Sequence, residues 1–148
     1  MLQKIDSQNL NNMKMKSLPQ ASLVTRIIST ILFLPYFYIG VKELISPAGI
    51  DITFGIPLTH DEGLSYLSVV GARNIVLSSM GIFFAITGLR FSMITVFIAM
   101  AIMAAMDCYL VTSNSSFSGM AIKHFTFVIF MLVMAAWTRY SGMRKNNQ

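Results

Sequence analysis

The chain has 148 residues, of which 55% are hydrophobic and only 11% charged, with a formal net charge of +5. A soluble domain carries about a quarter charged residues, so six acids and eleven bases cannot coat a globule with so apolar an interior. The mean hydropathy of +0.65 and the bunching of apolar residues into long runs exclude a cytosolic enzyme, a disordered chain and a disulfide-stapled secreted domain. The class that remains is an integral membrane protein.

The first 20 residues are polar, rich in Asn and Gln, and mildly basic through Lys4, Lys14 and Lys16. The apolar run that follows is too long for the hydrophobic segment of a signal peptide and lacks a small-x-small cleavage pattern. Residues 1–22 therefore read as a polar tail leading into a retained first span. Four runs reach the roughly 20 residues that cross a hydrocarbon core of about 30 Å. They are 23–45, interrupted by Pro35 and so expected to kink; 64–88, with Arg73 as its one charge; 91–112, with Asp107; and 119–138, with Lys123 and His124 in its opening turns. Lipid cannot satisfy backbone polar groups, so each run is read as a helix. The expected fold is all-α, a single four-helix membrane bundle over 23–138, followed by a basic tail over 139–148.

The connections sort the charges. Gly88, Leu89 and Arg90 make a tight hairpin between the second and third spans, and Asn114, Ser115 and Ser116 a short polar loop before the fourth. The long first connection, Ser46 to Gly63, carries Asp51, Asp61, Glu62 and His60 but no base. Lys4, Lys14, Lys16, Arg26, Arg90, Arg139, Arg144 and Lys145 fall on the side of the termini and the tight hairpin, against Lys42 and Lys123 on the other. By the positive-inside rule both termini are cytoplasmic and the long acidic loop faces outward. The bases punctuate the ends of apolar runs instead of clustering with aromatics, so they are read as orientation signals facing the lipid bilayer, and no nucleic-acid partner is expected.

Small residues suggest where helices touch. Gly71, Ser78, Gly81, Ala85 and Gly88 form one stripe of the second span, and Ala101, Ala104, Ala105 and Cys108 a similar set on the third. Such stripes let backbones approach closely, which is how membrane helices pack without a hydrophobic drive. The lone Cys108 cannot form an internal disulfide and reads as a small buried hydrophobe. The twelve methionines read as core filling.

Arg73, Asp107 and His124 are the ionisable groups within spans that call for a physical account. Arg73 lies 16 residues before Leu89 and Asp107 lies 17 after Arg90, which puts both roughly 25 Å from the hairpin at about 1.5 Å per residue. Asp107 is six residues before Ser113 and His124 six after Ser118, so all three share one depth, a turn or two below the outer surface. An isolated charge at membrane depth costs about 2.5–3.5 kcal/mol on insertion scales and is usually paired and turned inward. Arg73 and Asp107 are the expected pair, since a guanidinium fork suits a carboxylate. Met100 and Met103 flank Asp107 and Met131 lies on the His124 face at helical spacing, which predicts an adaptable apolar pocket with polar groups at one end. Three readings compete: interhelical glue that sets the register of three spans, a pocket for a lipophilic ligand or substrate, and a proton or ion path. As chemistry, Asp107 and His124 could run acid–base work with Arg73 stabilising an oxyanion. No nucleophile motif, phosphate loop or Cys/His metal spacing accompanies them, so no cofactor and no metal is expected. His60, Asp61 and Glu62 precede the second span and read first as N-terminal caps and dipole partners, with entry-gate residues or metal ligands as the minority reading.

Phe54-Gly55-Ile56-Pro57, then Gly71-Ala72-Arg73-Asn74-Ile75-Val76-Leu77, and Ala105-Met106-Asp107 followed by His124 resemble a family of small four-span membrane proteins of bacteria and fungi, a domain of unknown function loosely like DoxX proteins. The resemblance covers roughly residues 27–137. It implies a four-helix membrane fold and brings no activity. The family pattern has an acid after Gly-Ala-Arg where this chain has Asn74, and a Gly before the third-span Asp where this chain has Met106. The first change removes one partner for Arg73 and points more clearly to Asp107 as its counter-ion. Function is thus expected to be that of a multi-pass membrane protein that binds or transforms a lipophilic small molecule at Arg73, Asp107 and His124. The alternatives are a small proton-coupled transporter, which would be a homo-oligomer, and a non-catalytic subunit that meets a membrane partner through the small-residue stripe of the second span.

Overall fold

The computed structural model describes residues 20–47, 61–115 and 119–141. Nearly all of them lie in four helices: α1 (Leu23–Ile45), α2 (Asp61–Thr87), α3 (Arg90–Ser115) and α4 (Gly119–Ser141). The shortest has 23 residues, about 34 Å at the usual rise, and each helix is long and apolar enough to cross a membrane. The chain is an all-α, multi-pass membrane protein.

Ser22 starts α1 as an N-cap, its hydroxyl accepting from the Thr25 N–H at 3.2 Å, and the helix continues through Pro35. The other helices overrun the expected bounds. α2 begins at Asp61, α3 continues to Ser115 and α4 to Ser141, where the apolar runs alone predicted 64, 112 and 138. Polar side chains at the third helix's end explain the difference. Thr112 donates to the Cys108 carbonyl, Ser113 and Asn114 to that of Leu110 at 3.1 and 2.8 Å. Hydroxyl and amide groups that bond back to the preceding turn keep carbonyls satisfied past the apolar run. Hydropathy therefore marks the hydrocarbon edge and not the end of the hydrogen-bond ladder.

The tight turn between α2 and α3 is a Schellman motif. Gly88, at φ 74°, donates to the Ala85 carbonyl at 3.3 Å, and Leu89 to that of Phe84 at 3.1 Å. Arg26 of α1 reinforces this helix end by donating to the carbonyls of Ala85, at 2.9 Å, and Ile86, a cation on the negative end of the helix dipole. Because a Cβ is disfavoured at positive φ, Gly88→Ala is expected to lower stability by about 1–2 kcal/mol, read as a fall in the unfolding midpoint in detergent. Ala21 donates to the Gly88 carbonyl at 3.0 Å, and Thr25 and Ser141 share a hydroxyl hydrogen bond at 3.2 Å. The start of α1, the α2–α3 turn and the end of α4 therefore meet at one end of an up-and-down bundle.

α1 packs chiefly along α2 and α4 along α3, with a smaller contact between α2 and α3. Glycine makes the first pair possible: a Cβ on Gly40 would sit 2.9 Å from the Gly71 carbonyl oxygen, and one on Gly71 2.7 Å from that of Gly40. Further along the same pair, the ring of Phe33 lies over the bare face of Gly81 and stacks on Phe97 of α3, with centroids 5.1 Å apart. The small-residue stripe of α2 is thus filled by α1 itself, and Ser78 and Ala85 within it are fully buried. In place of a soluble protein's polar coat, Leu23, Ile31, Val69, Ile86, Ile102 and Tyr109 face outward. Ser29 and Thr138 are buried, but each donates to a carbonyl of its own helix at 2.7 Å, as the absence of water requires.

Two apolar clusters occupy the bundle axis. The larger includes Phe33, Ala85, Met93, Phe97, Met131 and Met134, and the smaller is built on Leu67, Val70, Val111 and Ala121. On α2, α3 and α4 the residues between these clusters in sequence line a cavity.

Candidate functional site

The cavity has a volume of about 560 Å³ and takes residues from all four helices. Its apolar region is built from Tyr36 and Ile39 of α1, Leu77 of α2, Met100 and Met103 of α3, and Phe127 and Phe130 of α4. Its polar region lies one or two turns nearer the end of the bundle that holds the α3–α4 loop. There Lys42 and Glu43, Arg73 and Asn74, Asp107, and Lys123 and His124 come together.

The expected ion pair is present in forked geometry. Arg73 donates from Nη1 to Asp107 Oδ1 at 3.2 Å and from Nη2 to Oδ2 at 2.9 Å. Asp107 is buried and Arg73 half-buried, with side-chain exposures of 9% and 21%. Two helices that make only a modest apolar contact are therefore joined by a bidentate charge-assisted bond at the cavity wall. Arg73 Nε is buried and has no hydrogen-bond partner among the described residues. Asp107 is thus held by the two terminal nitrogens of the guanidinium.

His124, half-buried on α4, lines the same cavity, so the structure gathers the three groups that depth counting placed at one level. Met100 and Met103 also line it. Met131 does not: it is fully buried in the larger apolar cluster. Of the loop residues, His60 lies outside the described residues, and only the helical backbone of Asp61 and Glu62 is described.

One functional-looking residue escaped the sequence. Glu43 is only 5% exposed, and its Oε2 accepts from Asn74 Nδ2 at 2.7 Å. It stands within electrostatic range of Arg73, Asp107 and Lys123. Two residues from the end of α1, it reads in sequence as an interfacial charge. The close contact of Gly40 with Gly71 sets α1 so that Glu43 meets the middle of α2. Asn74 is explained by the same contact. An amide donates to a buried carboxylate, whereas a second acid at this position would face Glu43 as a like charge. The signal available in the sequence was the glycine pair Gly40 and Gly71, which sets the offset between the two helices.

The result is a greasy chamber with two carboxylates, each held by a donor, and a histidine at one pole. Such a site can hold an apolar body while presenting acid, base and hydrogen-bonding groups to a polar head. Comparison with curated proteins finds no match, and comparison with solved structures finds none either. Residues 34–138, which contain all four walls of the cavity, match the family described as a domain of unknown function, DUF4267, and the chain belongs to that family.

Proposed function

We propose that this protein is a membrane-embedded binding protein for a lipophilic small molecule, with acid–base groups at the pole where the ligand's polar head sits. The observation that carries this reading is the cavity itself. At about 560 Å³ it falls in the range of sites for drug-sized ligands, roughly 300–1,000 Å³. A pair that served only as interhelical glue would sit in a packed interface, whereas Arg73 and Asp107 stand on the wall of a chamber. Asp107 and His124 are the acid–base groups of the site, and Arg73 holds the Asp107 carboxylate in place.

The charge asymmetry between the two ends supports an orientation with both termini cytoplasmic and the polar pole in the outer half of the membrane. In a Cys108→Ser background, a thiol introduced as Asp51→Cys should react with a membrane-impermeant reagent added outside intact cells. Labelling only after lysis would reverse the orientation.

The main reading is tested by native mass spectrometry of the purified protein. A lipophilic adduct is expected on the parent and is lost in Met103→Trp, which fills the chamber while leaving the helical circular dichroism unchanged. An adduct retained at full occupancy in that variant would place the ligand elsewhere, and no adduct from any lipid extract would remove the reading. Glu43 favours a second reading, since a buried acid on the first span inside a shared cavity is what a proton-coupled exporter would use. That alternative predicts proton-driven substrate movement in sealed vesicles that is abolished by Glu43→Gln.

A further inference from the structure

We infer that the ligand is a single-chain amphiphile with an anionic head, and that it enters sideways from the leaflet through the seam between α1 and α4. This rests on the binding role proposed above and names the ligand's class and route.

Among the described residues, apolar side chains flank the cavity along the bundle axis. On α2, α3 and α4 the larger apolar cluster, which reaches the lining at Met100, lies toward one end, and the smaller one, which reaches it at Val70, toward the other. An axial path would run past these apolar side chains. The side is different. Every exposed residue of the lining comes from α1 or α4, with Ile39 at 39% and Phe130 at 41%, whereas the lining residues of α2 and α3 are buried or half-buried. Each rim helix packs chiefly on its own partner, α1 on α2 and α4 on α3, and the two share no contact of similar extent. Where they do meet in the cavity wall, the rings of Tyr36 and Phe127 touch at 4.5 Å between centroids. That contact lies about two turns from Lys42 on α1, and it closes the foot of the seam.

The polarity of the chamber runs the same way as that of a leaflet. Its polar pole is toward the loop end of the bundle and its apolar region toward the middle of the spans. A lipid in that leaflet has its head at the interface and its chain toward the midplane, so it can slide in without turning over. The volume suits one chain of a drug-sized ligand and not a two-chain phospholipid.

Charge selects the head. Lys42 and Lys123 stand exposed on opposite rims of the seam, and Lys42 Nζ lies 5.2 Å from the centre of the outward-facing Tyr38 ring. The two acids of the site, Glu43 and Asp107, are buried and already accept from Asn74 and Arg73. An approaching head therefore meets cations first, and a carboxylate or a phosphate monoester is the chemistry that fits.

The test uses the full chain in lipid nanodiscs and a dansyl-labelled long-chain fatty acid, its methyl ester and a lysophosphatidate. Both anions are expected to bind, and the ester about threefold more weakly, since a head charge that meets exposed lysines gains only a modest ion contact. Lys42→Gln combined with Lys123→Gln, at two exposed positions that do not threaten the fold, should reduce the anions to the ester's affinity. Preference between the fatty acid and the lysophosphatidate tells a carboxylate ligand from a phosphate one. In a Cys108→Ser background, bridging Ile39→Cys to Phe130→Cys with a bifunctional thiol reagent should slow ligand entry severalfold. Equal binding of acid and ester, or full anion affinity in the lysine double variant, overturns the anionic head. An unchanged entry rate after bridging overturns the lateral route. In each of those cases cavity binding itself survives, whereas failure of all three probes to bind removes the binding role as well.

Discussion

Asp107→Ala is expected to be the most damaging single substitution in this protein, lowering its stability by about 3–5 kcal/mol. The loss does not come from the ion pair's own attraction, which desolvation largely offsets. It comes from what the substitution leaves behind. Arg73 stays half-buried at membrane depth, its Nη1 and Nη2 lose both acceptors, and its Nε already has no partner among the described residues. Replacing both members with apolar side chains, Arg73→Leu with Asp107→Leu, should recover most of that loss, because neither charge then has to be buried. Denaturant titration in detergent measures both variants. The double variant also separates structural from functional roles. If stability returns while ligand binding does not, the pair serves the ligand; if both return, it serves only helix register.

Gly71→Val is the second large effect, expected to cost about 1–3 kcal/mol from overpacking alone. A Cβ at this position would lie 2.7 Å from the Gly40 carbonyl oxygen and 2.8 Å from both Glu43 Cβ and the Leu44 amide nitrogen. Two of these neighbours are backbone atoms that cannot rotate away, so α1 and α2 must separate. Separation stretches the Glu43–Asn74 hydrogen bond of 2.7 Å and so reaches the cavity wall. Loss of stability should therefore come with loss of ligand affinity. Gly40→Ala acts on the same contact, with the Gly71 oxygen at 2.9 Å, and the two substitutions together should cost less than their sum because they share one interface. Gly119→Ala is the matched control: among the described residues nothing lies within 4 Å of its added methyl, and its thermal midpoint should be unchanged.

The two effects differ in how visible they were beforehand. The Arg73–Asp107 pair follows from counting residues out from the tight turn, because helix rise is constant and both residues hang from the same hairpin. His124 follows likewise from the short loop before α4. Glu43 does not, because no short connection ties α1 to α2, and the long loop between them leaves their offset undetermined. Met131 shows the limit of spacing on one helix. It shares a face with His124 at the i+7 position, yet it packs into the larger apolar cluster, whereas Phe130, one residue earlier and at nearly the same depth, lines the chamber.

Membrane class, four helices, the depth of the intramembrane charges and the stripe of small residues on α2 were all legible in the amino-acid order. Each depends on composition or on the geometry of a single helix and its tight turns. Three features were not: that α1 fills the stripe, that Glu43 and Asn74 join the polar pole, and that residues of all four helices line one chamber. They depend on how far one helix slides along another, which is a property of the packed bundle. In lipid, that offset is set by close backbone contact between Gly40 and Gly71 and by the Phe33 ring against Gly81, and not by any hydrophobic drive.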